Sequence, residues 1–161
     1  MIRLEELTDS RRNDVLGIDR SDIGEDWVDS IPDILALHQY GLDHGCIGHT
    51  YAVYAEDTCI GIILMGEGVP WPCDPPEVAG IPFYRIMGFV IDKAWRGKGL
   101  GSQVLETVIA RIFNEFGSRP ILIGVQQDNL RAANFYLRHG FRPTGSWDED
   151  DRFYIRDPQT H

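Results

Sequence analysis

Apolar and polar residues alternate from Met1 to Leu7, the period-two mark of a half-buried strand, and Thr8 or Asp9 stands ready to cap a helix after it. A second helical region is predicted over residues 19–45, where Ile31, Ile34, Leu35, Leu37 and His38 recur at helical spacing, Pro32 suits a first turn, and Gly41 and Gly45 close the run. Residues 50–55 and 59–65 are β-rich and joined by Glu56-Asp57-Thr58, which predicts an antiparallel hairpin. Residues 66–82 then break every rhythm. Pro70, Pro72, Pro75, Pro76 and Pro82 surround Trp71, so this stretch is neither helix interior nor central strand and reads as a long loop.

Residues 83–91 resume as a strand apolar on both faces, the pattern of a buried central position. After a turn, Val104, Leu105, Val108, Ile109, Ile112, Phe113 and Phe116 mark one face of a helix that Gly117 ends. Residues 120–125 form a short buried strand, 129–139 an amphipathic helix ended by Gly140, and 141–147 with 152–156 a closing strand pair around Asp148-Glu149-Asp150-Asp151. The order predicts an α/β fold, one domain over residues 1–161, with a mixed central sheet of about six or seven strands and flanking helices. With 161 residues and 43% hydrophobic composition the chain can bury a real core.

Charge and cysteine content narrow the chemistry. Asp and Glu outnumber Lys and Arg by 25 to 15, a formal charge of −10, which disfavours nucleic acid and anionic membrane as partners and favours a cationic small molecule. The same excess also serves as a solvated acidic surface. No apolar run reaches the length of a membrane span and the first residues carry no secretory pattern, so a cytoplasmic location is expected. Cys46, Cys59 and Cys73 lack C-x-x-C spacing and are read as free thiols, and no metal site is expected.

The chemistry concentrates where the long strand meets its helix. Gly97, Gly99 and Gly101 free the backbone of Arg96-Gly97-Lys98-Gly99-Leu100-Gly101 to turn its N–H groups to one point, and the helix N-terminus adds unpaired donors and partial positive charge. Such a turn binds a phosphate or pyrophosphate, with Ser102 alongside and Arg96 and Lys98 as nearby cations. The G-x-x-x-x-G-K-[ST] and G-x-G-x-x-G spacings are both absent, so neither ATP nor a dinucleotide fits first. A ligand-free glycine turn is the plainer alternative.

Taken with Phe89-Val90-Ile91-Asp92 before it and Asn129, Ala132, Phe135-Tyr136 and Gly140-Phe141 after it, this turn resembles the GCN5-related N-acetyltransferase (GNAT) family over most of the chain. The two blocks match the family's R/Q-x-x-G-x-G/A and N-x-x-A-x-x-x-Y-x-x-x-G-F patterns in order. The resemblance implies acetyl-CoA as cofactor, with the backbone of Phe89, Val90 and Ile91 at the pantetheine arm and acetyl carbonyl. It implies Asn129 near the cofactor and Tyr136 as general acid toward the departing thiolate. Without the family, Asn129 is an ordinary helix cap and Tyr136 a half-buried aromatic.

Many relatives carry a glutamate on the long strand, whereas the inward candidates here are Arg85, Met87 and Phe89. The base is therefore open among Glu67, Glu77, His49 and Tyr84. Asp19, Asp22, Glu25, Asp26 and Asp29 cluster in a region that borders the acceptor site in relatives, and Asp22, Glu25, Asp26 and Asp29 are candidate substrate carboxylates. Residues 83–87, 90–93 and the R-G-K-G turn look most like bacterial diamine and polyamine acetyltransferases of the spermidine type. A small amine acceptor is expected, and a homodimer is common in the family. A protein or peptide N-acetyltransferase and a non-catalytic acyl-CoA sensor are the alternatives.

Overall fold

The computed structural model describes residues 1–24 and 26–158. Seven strands form one mixed sheet: β1 (Ile2–Glu6), β2 (Gly48–Ala55), β3 (Thr58–Glu67), β4 (Tyr84–Ile91), β5 (Ile121–Gln126), β6 (Phe141–Asp148) and β7 (Asp151–Arg156), in spatial order β1-β2-β3-β4-β5-β7-β6. All neighbours run antiparallel except β4 and β5. Helices α1 (Arg12–Leu16) and α2 (Ile31–Asp43) cover one face, burying Val15, Ile31, Ile34 and Leu35 against Ala52, Ile62, Leu64 and Val90. On the other face lie α3 (Leu100–Phe116) and α4 (Leu130–Arg138), whose Val104, Leu105, Val108, Ile112 and Tyr136 meet Val53, Ile63, Met65 and Ile123. Each layer follows from period-matched apolar residues, 3.6 on the helices and 2 on the strands.

The second helix begins later than residue 19. Ser30 caps it, accepting a hydrogen bond from the Asp33 N–H at 3.2 Å, and Pro32 occupies its first turn. The residues before Ser30 form turns, because their carboxylates and Gly24 break the apolar rhythm that starts at Ile31. This segment is tied down at Asp19, whose N–H donates to Asp92 Oδ2 at 2.9 Å and whose carbonyl accepts from the Lys93 N–H at 2.8 Å.

The proline-rich loop is held by a buried cation. Arg85, 2% exposed, donates to the Val69 carbonyl at 3.0 Å and to both Asp74 oxygens at 3.0 and 2.8 Å, and its guanidinium lies 3.6 Å from the Trp71 ring centroid. Val78, Phe83, Leu122, Phe153 and Ile155 form a small apolar cluster with Cys73 beneath the loop.

Two irregularities of β4 open the sheet. Leu64 pairs with Gly88 but Met65 with Ile86, so Met87 is an extra residue, a β-bulge. On its other edge β4 meets β5 only at Tyr84↔Ile121 and Arg85↔Leu122, after which the strands part. The bulge also reverses the faces: Ile86 packs toward α3, whereas a Cβ on Gly88 would lie 2.5 Å from Ile34 of α2. Arg85 and Phe89 therefore stand on opposite faces, and the expected single inward row of Arg85, Met87 and Phe89 does not form.

Candidate active site

Where β4 leaves β5, one edge of the sheet's central strand has no strand partner beyond Arg85. The Asp92 N–H donates to the Ile60 carbonyl of β3 at 2.7 Å. Donors alternate edges along a strand, so Val90 and Gly88 also face β3, while Phe89 and Ile91 turn their N–H groups toward the gap. The gap is walled by α4, whose Phe135 stands edge-on to Phe89 at 6.0 Å between ring centroids.

A cavity of about 610 Å³ runs from this edge to the N-terminus of α3. Phe89, Val90, Ile91, Arg96, Gly97, Gly99, Gly101, Ser102, Asn129 and Tyr136 all line it. Gly97 and Gly99 have φ of 76° and 77°, a left-handed backbone that costs other residues about 1–2 kcal/mol, and Gly99 is the N-cap of α3. Gly101 has no such conformation; a Cβ there would rest 3.5 Å from the Phe135 ring. Arg96 Nε donates to the Ile91 carbonyl at 2.9 Å and Nη1 bonds Asp22, whereas Nη2 is buried without a partner among the described residues. Lys98 and Leu100 lie off the cavity, Lys98 with its ammonium 5.1 Å from the Trp95 ring centroid and Leu100 packed on the core. The Ser102 hydroxyl pairs with His139 Nε2 at 2.8 Å, and the other ring nitrogen meets Glu106 at 2.8 Å. Asn129 caps α4 by accepting from the Ala132 N–H at 3.2 Å.

Tyr136 is 5% exposed and makes no hydrogen bond to a described side chain, and burial pushes its hydroxyl pKa up. A second, smaller cavity of about 140 Å³ lies beyond it. Trp27, Val28, Phe89, Asn129, Ala132 and Tyr136 line both cavities, so the tyrosine stands at their junction. The smaller one carries three carboxylates, Asp26, Asp29 and Asp151, and no cation among its lining residues.

The acidic candidates thus divide. Asp22 belongs to the larger cavity, where the Arg96 guanidinium holds its carboxyl below the usual range. Asp26 and Asp29 face the smaller one, and Glu25 lies outside the described residues. Burial, reinforced by Asp33, raises Asp29 despite Arg20.

None of the four candidate bases lines either cavity. His49 is clamped between Glu6 and Glu115. Tyr84 donates to the Gly117 carbonyl at 2.6 Å with its hydroxyl pKa raised by burial, Glu67 accepts from the Ile47 N–H at 3.3 Å, and Glu77 pairs with Arg142 at 3.7 Å. Sequence reasoning missed Trp27, Phe135 and Asp151 at the site. Phe135 was inside the motif, but nothing in the order of residues joins Trp27 or Asp151 to it.

The chain matches the family model described as the acetyltransferase (GNAT) family over residues 12–141. It is 33% identical over 60 residues to the probable spermine N(1)-acetyltransferase of Bacillus subtilis subsp. natto, a match covering 37% of this chain and 40% of that relative's length. Its fold is similar to the PaiA N-acetyltransferase of Thermoplasma acidophilum solved in complex with coenzyme A, with a TM-score of 0.71, 13% identity and coverage of 98% of this chain and 99% of that one. It is likewise similar to an N-acetyltransferase of Staphylococcus aureus Mu50, at a TM-score of 0.68, 17% identity and 98% coverage of both. With its parted central strands, its glycine turn before α3 and the family match over most of its length, the chain belongs to the acetyltransferase (GNAT) family.

Proposed function

We propose that the protein is an acetyl-CoA-dependent N-acetyltransferase that moves the acetyl group to a primary amine by direct attack while both substrates are bound, with a cationic polyamine as acceptor. The observation that carries this reading is one continuous cavity joining an anion cradle to the free edge of β4, with Tyr136 at the far end. The cradle fits a pyrophosphate: Gly97 and Gly99 set its left-handed backbone, α3 supplies its N-terminal donors, and Arg96 keeps an unpartnered buried nitrogen beside it. Acetyl-CoA supplies an activated thioester when bound.

The residues have separable tasks. Phe89 and Ile91 offer N–H groups from the free strand edge, fixed donors of the kind that stabilise charge developing on an acyl oxygen by a few kcal/mol. Phe135 and Phe89 shield that edge from water. Tyr136 keeps its proton at neutral pH, as an acid for a leaving thiolate must, and has no competing hydrogen bond to a described side chain. The polyamine acceptor is supported by the three carboxylates of the smaller cavity and by the spermine named for the relative at 33% identity.

Release of free coenzyme A from acetyl-CoA by purified protein, with spermidine, spermine, putrescine, amino acids and peptides as acceptors, tests the reading. Turnover selective for polyamines is expected. Turnover of peptides alone would replace the acceptor by a protein terminus or lysine, and cofactor binding with no turnover on any acceptor would make the protein a sensor.

A further inference from the structure

β4 carries no carboxylate, and the fold brings one to the acceptor side from elsewhere. Asp151 opens β7 opposite Gln126 of β5, directly beyond the point where β5 has left β4. Gly124 on β5 has no side chain to screen it: a Cβ there would lie 3.6 Å from Asp151 Cβ. Asp29, from the segment ahead of α2, lines the same smaller cavity, and so does the buried Tyr136, which makes no hydrogen bond to a described side chain.

We propose that Asp151 is the proton acceptor for the amine, with Asp29 of the same cavity holding the ammonium in place. The proposal rests on the acetyltransferase reading above and names the acceptor residues of the same site. Asp29 adds to the cost of ionising Asp151, and a cation held beside the two carboxylates removes that cost. Burial, then Asp148, Asp29, Asp150 and Glu149, push the Asp151 carboxyl up; Asp26 and Tyr136 are the other titratable groups lining the cavity. A carboxylate whose pKa is raised is a stronger base than a free one.

The ammonium gives one proton to Asp151, which passes it to solvent, and the freed lone pair forms the bond from nitrogen to the acetyl carbonyl carbon. The carbon–sulfur bond breaks, and Tyr136 donates its proton to the departing thiolate. The nitrogen sheds its second proton as the amide forms, and that proton restores the Tyr136 hydroxyl.

The test uses the full chain with the variants D151N, D151E and D29N, each first checked for unchanged coenzyme A affinity as proof of folding. Calorimetric titration of spermidine into the coenzyme A complex should show at least about tenfold weaker binding for D29N, the effect of losing a charge partner. D151N should lower kcat with acetyl-CoA and spermidine by about a hundredfold and remove the acidic limb of its pH profile, with partial rescue in D151E. Wild-type turnover with D151N unaltered in rate and pH profile would overturn the inference and leave the acetyltransferase reading intact. A wild-type protein that transfers acetyl to no amine and binds no spermidine would overturn both.

Discussion

Asp22 and Arg96 are bonded to each other on the wall of the larger cavity, so the cation of the glycine turn that lines this cavity is already engaged by a carboxylate. Arg131 adds a longer contact to the same carboxylate at 3.9 Å. A pyrophosphate on the turn must share Arg96 with Asp22 or displace it. Asp22→Asn should therefore tighten coenzyme A binding by about two- to fivefold, within the worth of a partly exposed ion pair. Titration calorimetry checks this, and weaker binding would mean that Asp22 orients Arg96 toward the cofactor.

The glycines of the turn should differ in their response. Gly99→Ala forces a side chain into φ of 77° and should cost about 1–2 kcal/mol of stability as well as cofactor affinity. Gly101→Ala leaves the backbone in its helical conformation and adds only an ordinary contact with Phe135, so its melting temperature should hold or rise. Thermal melts of the two variants separate the effects.

Tyr136→Phe should reduce kcat by about a hundredfold while coenzyme A affinity stays within about twofold, because the hydroxyl bonds no described side chain and only the ring packs. Pre-steady-state measurement of thiol release checks it; an unchanged rate would leave the residue a packing role beside Phe141.

Asp29 and Asp151 both have raised carboxyl pKa values, and the sign of the linkage follows. A folded-state pKa above the unfolded one means that stability is greatest at low pH and falls as pH rises through the folded value. Above those folded values the ionised groups thus weaken the fold. Asp29→Asn and Asp151→Asn should raise the melting temperature at pH 7, and the gain should vanish below the ordinary aspartate value near 3.8. Melts across that range provide the check.

Arg85 binds the loop after β3 to the sheet, and its loss leaves Asp74, with a side chain 9% exposed, without its partner. Arg85→Ala should destabilise the protein by about 3 kcal/mol or more and open residues 68–82 to limited proteolysis. Retained stability would show that Phe83 and Val78 hold the loop unaided.

The strands, the two long helices and the glycine turn were legible because each depends on local periodicity or on a short run of residues. Asn129 as the cap of α4 and Tyr136 as an aromatic on it were legible from the same local signals, and their proposed roles come from the resemblance alone. The partners of Tyr136 were not legible. Whether Arg85 or Phe89 faces the larger cavity depends on a bulge at Met87, and the sequence carries no break in its apolar run there. Asp151 comes to the site only through the pairing of β5 with β7, an association of residues far apart in the chain. His49, a reasonable base by residue type, is drawn off by Glu6 and Glu115, whose nearness arises from the packing of β1, β2 and α3.

The most direct test of the whole account is a titration of the acetyl transfer rate against spermidine at saturating acetyl-CoA, measured by thiol release. Saturable transfer, with acetylspermidine and free coenzyme A formed in equal amounts, is the predicted result. Tight coenzyme A binding without any acetylated amine, across polyamines and peptides alike, would contradict it.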